Sequence, residues 1–78
     1  MKLPRGVSAD RLIRALKLLG YVVIRQHGSH VRLRHPGPPV STIIVPKHNP
    51  IKTGTLHSLL SEVALRRAMT IEMIAELL

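Results

Sequence analysis

The sequence predicts an α+β domain in the order α-β-β-β-α(-α), a three-stranded antiparallel sheet with helices on one face. Three observations predict it. Leu12, Ile13, Leu16 and Leu19 recur at helical spacing behind Ser8, and Leu56, Leu59, Leu60, Val63 and Ala64 make a second helical stripe. Between them, His30-Val31-Arg32-Leu33-Arg34-His35 alternates strictly, the period of a strand. At 78 residues the chain holds one core, so residues 1–78 are read as a single domain.

Each element has its own justification. Met1 to Val7 holds Pro4 and Gly6 and reads as a lead-in. Ser8 suits an N-cap, Asp10 suits the positive helix start, and Gly20 suits the position after the end, giving a first helix over about Ala9 to Leu19. Arg11, Arg14 and Lys17 lie on its polar side. Tyr21 to Gln26 is β-branched and short, a strand by propensity. Gly28-Ser29 then fits a two-residue hairpin loop that starts with glycine.

That loop sets a register. His27 pairs with His30, Arg25 with Arg32 and Val23 with Arg34, alternating with Gln26–Val31, Ile24–Leu33 and Val22–His35. One face then carries two histidines and three arginines, and the other is mainly aliphatic. Pro36-Gly37-Pro38-Pro39 makes a turn, Val40 to Val45 a third strand ended by Pro46, and Lys47 to Thr53 a polar loop. The next helix opens at Gly54-Thr55, with Thr53 or Thr55 as its expected cap. Thr70 caps a last short helix whose apolar side is Ile71, Ile74, Leu77 and Leu78. Leu65 to Met69 has no Gly or Pro, so two helices or one kinked rod both fit.

Charge narrows the partners. Twelve Lys plus Arg stand against four Asp plus Glu, a formal +8, and no acid lies between Arg11 and Ser61. Such a field favours an anionic partner. With one Tyr and no Phe or Trp, a base-stacking platform of several aromatics is excluded. Zero Cys removes disulfides, thiolate metal sites and thiol nucleophiles. No apolar run reaches membrane-spanning length and no signal peptide opens the chain, so a soluble cytoplasmic protein is expected, with no membrane partner.

His27, His30 and His35 fall close enough to suggest zinc, but the register turns His35 to the other face and no acid is near. No metal and no cofactor is therefore expected. Ser29 as a nucleophile lacks a supporting base–carboxylate pair, and Gly28 and Ser29 are read as structural turn residues.

The string Gly20-Tyr21, Arg25, Gly28-Ser29-His30, Val45-Pro46-Lys47-His48 and Lys52-Thr53-Gly54-Thr55-Leu56, in that order, resembles the HicA toxins, the YcfA-like mRNA interferases. The resemblance implies a double-stranded-RNA-binding-domain-like fold, endoribonuclease activity on mRNA and a HicB-like antitoxin as protein partner. It also assigns catalysis to the histidine of Gly-Ser-His, here His30.

Elementary chemistry suits that assignment. RNA brings its own nucleophile, the 2′-hydroxyl, and histidine titrates near neutrality, so His30 can act as general base or acid. His27, across the strand pair, is a candidate helper. Arg25, Arg32, Arg34, Lys47, His48 and Lys52 are the candidate RNA contacts. Two other readings stay open from the sequence: a non-catalytic RNA-binding module that uses the same basic face, and a catalytically degenerate partner-binding protein.

Overall fold

The computed structural model describes residues 3–78, so the first two residues of the lead-in lie outside it. The elements are α1 (Ala9–Leu18), β1 (Val22–His27), β2 (His30–His35), β3 (Ser41–Pro46), α2 (Thr53–Arg67) and α3 (Ile71–Ala75). The order α-β-β-β-α-α and the antiparallel sheet in the order β1-β2-β3 match the expected α+β layout.

Helix α1 forms where its caps and periodicity agree. The Ser8 hydroxyl accepts the Arg11 backbone N–H at 3.2 Å, and Leu12, Ala15 and Leu16 are buried on one side. The helix is left through Gly20 at φ 102°, a conformation few side chains tolerate. A Cβ there would also stand 2.9 Å from His35 Nε2, so glycine leaves the room that the imidazole fills.

The sheet buries one face. Val31 and Leu33 of β2 and Ile43 and Val45 of β3 point inward, against Leu12, Leu16, Leu56, Leu60, Val63 and Ile74 from the three helices. Both long helices pack over β3, and α3 packs on α2. The lead-in is part of this packing: Val7 is fully buried and its carbonyl accepts the Ile51 N–H at 2.8 Å. Tyr21, just ahead of β1, is buried in the core, and its hydroxyl shares a buried 2.8 Å hydrogen bond with Ser41 Oγ.

Three expectations are corrected, and one choice left open is decided. The register holds at the turn, with His27↔His30, Gln26↔Val31 and Arg25↔Arg32, but then shifts by one residue at a bulge. Val23 pairs with Leu33 and Val22 with Arg34, leaving Ile24 as the extra residue. Three consecutive β-branched residues carry no alternation, so nothing in them holds the regular phase. The third strand starts at Ser41, with Val40 outside it.

Helix α2 begins at Thr53, one residue ahead of Gly54-Thr55, and Lys52 holds its N-cap position with no side-chain capping bond. Neither threonine serves as the cap. At the far end, α2 and α3 are separate helices. Ala68 adopts the left-handed region (φ 52°, ψ 47°), and the N–H groups of Ala68 and Met69 both go to the Ala64 carbonyl. The Thr70 hydroxyl then caps α3 by accepting the Met73 N–H at 3.1 Å.

Candidate functional site

The hairpin tip builds the site. Gly28 has φ 59° while Ser29 keeps a negative φ, the pattern of a type II′ turn. This tight loop fixes His27 directly opposite His30. Facing residues in an antiparallel pair have Cβ atoms about 4.5–5.5 Å apart.

The next outward pair, Arg25↔Arg32, lies two residues from the turn. On β3, Ile44 is opposite Arg32 and Pro46 is opposite His30. Arg25, His27, His30, Arg32 and Ile44 together line an open groove of about 500 Å³ on the face of the sheet turned away from the helices.

Two imidazoles and two guanidiniums thus converge on one apolar floor. Imidazole supplies proton donors and acceptors at neutral pH, and guanidinium supplies fixed positive charge with paired N–H groups that match a phosphate. No acidic side chain lines the groove.

The other candidates are distributed around it. Arg34 shares the outer face but sits farther from the tip, beside Val22 and Thr42, outside the groove lining. The backbone of Lys47 is tied to the tip, its N–H donating to the Ser29 carbonyl at 2.6 Å. Lys47 and His48 border a second, smaller hollow of about 90 Å³ with Ser8, Ala9, Asp10 and Asn49. Lys52 is exposed at the start of α2.

His35 is on the inner face, away from the two turn histidines. Its Nδ1 accepts the Gly37 N–H at 2.9 Å, and Arg67 Nη1 lies 2.6 Å from the same atom. The same Arg67 Nη1 also lies 3.1 Å from Nε2 of the ring. Arg67 also donates to the Pro39 carbonyl, so its guanidinium is turned into the protein. Among the described residues, no group of three His, Asp or Glu side chains is gathered as a metal site would need.

Ile44 was not singled out from the sequence. The signal that finds it is the alternation of β3: once Ile43 and Val45 face the core, Thr42 and Ile44 must face out.

The family model described as HicA toxin of bacterial toxin-antitoxin matches residues 9–65. The chain belongs to the HicA toxin family. The matched stretch runs from the first residue of α1 to the last turns of α2 and contains every groove residue. Membership in HicA implies a cognate antitoxin as protein partner. No curated protein and no solved structure matches the chain. No helix among the described residues is long and apolar enough to cross a membrane.

Proposed function

We propose that this HicA-family toxin is a metal-independent endoribonuclease that cleaves mRNA and is neutralised by a HicB-like antitoxin. The observation that carries the reading is the groove in which His27, His30, Arg25 and Arg32 meet. In the proposed reaction His30 accepts the proton of the 2′-hydroxyl as its oxygen attacks phosphorus. The bond from phosphorus to the 5′-oxygen breaks, and that oxygen takes a proton from a general acid, for which His27 is the candidate. Arg25 and Arg32 hold the phosphate while negative charge builds on it. The products are a 2′,3′-cyclic phosphate and a 5′-hydroxyl, and DNA resists for want of the nucleophile.

Arg34, Lys47, His48 and Lys52 extend the grip on the RNA backbone beyond the groove, and residues 1–78 act as one cytoplasmic toxin domain. The test is incubation with RNA in EDTA. Wild-type protein should yield cyclic-phosphate ends, and His30→Ala should lose cleavage by at least about 100-fold, the usual minimum for a general acid–base residue. Full activity in His30→Ala refutes the mechanism. Wild-type activity in His27→Ala removes His27 from it and passes the acid role elsewhere.

A further inference from the structure

We propose that the free edge of β1 is a docking edge for a short, acidic, extended segment of the antitoxin, which joins the sheet as a fourth strand. The topology supplies the opening. β1 is an outermost strand and pairs only with β2. Outside that ladder, no backbone group from Val22 to His27 is hydrogen-bonded to another part of the described chain. Its outward N–H and C=O groups are therefore a template for one more strand.

The side chains favour occupation of this edge over the other. Val22, Val23 and Ile24 are consecutive and apolar, with 60%, 36% and 52% of their surface exposed. Proteins usually blunt such an edge with Pro or Lys, and this run has neither. The bulge at Ile24 bends the edge but leaves these side chains in solvent. β3, the opposite edge, is entered from Pro38-Pro39 and closed by Pro46, and Ile43 and Val45 are covered by helices.

Charge selects the occupant. Arg25, Arg32 and Arg34 line the adjacent outer face, and no acidic residue lies between Arg11 and Ser61 to offset them. A second copy would bring two chains of formal charge +8 edge to edge. An acidic strand gains attraction in the same place. It would lie about 4.8 Å from β1, with alternate carboxylates on the outer face beside Arg25 and His27. There they compete with RNA phosphate at the rim of the groove. Only this competition rests on the ribonuclease reading; the docking stands on the edge and its charge.

The test uses isotopically labelled full-length protein and three capped seven-residue peptides: alternating Glu and Val, alternating Lys and Val, and the Glu/Val peptide with a central Pro. The Glu/Val peptide should slow exchange of the outward β1 amides by about tenfold or more. The other two peptides should not. Ile24→Asp, at an exposed position outside the groove, should lose the protection while cleaving RNA at the wild-type rate.

Equal protection by the Lys/Val peptide overturns the proposal, as do shifts confined to the groove with β1 unprotected. Concentration-dependent protection of β1 in the chain alone overturns it in favour of self-pairing. Full cleavage by His30→Ala would remove the ribonuclease reading and leave the β1 protection unaffected, so the two failures are distinguishable.

Discussion

The outward arginines make a quantitative prediction about salt. Each phosphate contact on a single strand contributes about 0.7 to the slope of log affinity against log salt. If Arg25, Arg32 and Arg34 each hold one phosphate, together they contribute about 2.1. Between 50 and 200 mM salt that part of the affinity falls about 18-fold.

The Arg25→Gln/Arg32→Gln double variant keeps only Arg34 on this face, so its slope should be shallower by about 1.4. The part lost over the same salt range then shrinks from about 18-fold to about threefold. Fluorescence anisotropy with a labelled single-stranded RNA measures this, in the His30→Ala background so that the probe stays intact. Both arginines are exposed and make no ion pair among the described residues, so folding should be preserved. A double variant with the parental slope would refute the phosphate grip. So would weaker binding by the same factor at every salt concentration.

Two further predictions concern the scaffold. Ala68→Gly should stabilise the protein by up to about 1 kcal/mol, because alanine at φ 52° carries the left-handed penalty that glycine lacks. The melting midpoint should rise by a few degrees, and a fall would count against the αL junction. Tyr21→Phe and Ser41→Ala should each cost about 1–3 kcal/mol in denaturant unfolding, since each leaves the other hydroxyl buried without its partner. The double variant removes both hydroxyls and should cost less than the sum. Strict additivity would mean that the hydrogen bond is absent in solution.

What the sequence could show follows from how local each signal is. The hairpin tip was legible because Gly28 requires a turn and β2 alternates without a break, and together they put His27, His30, Arg25 and Arg32 on one face. The bulge was not legible, since Val22-Val23-Ile24 offers every residue equally to either face. The split at Ala68 has no glycine to announce it, and a left-handed alanine is chosen by the packing of α3 on α2. The N-cap of α2 falls on Lys52 although two threonines follow, which local capping preference would not choose. The contact between Arg67 and His35 joins residues 32 apart, and no periodicity encodes it. The groove was half visible for the same reason: its charged walls come from one hairpin, while its floor, Ile44, comes from a strand beyond a proline-rich turn.

The bond from the Lys47 N–H to the Ser29 carbonyl has a mechanical consequence. One residue on, the His48 carbonyl accepts the N–H of Ala9 at the start of α1, at 3.2 Å. Hairpin tip, β3 exit and helix end are therefore coupled in series through two hydrogen bonds and a single peptide link. A free hairpin tip sways; this one is clamped to the frame of α1. The histidine pair inherits the stiffness of the helix, and a force applied at either end of the linkage is felt at the other.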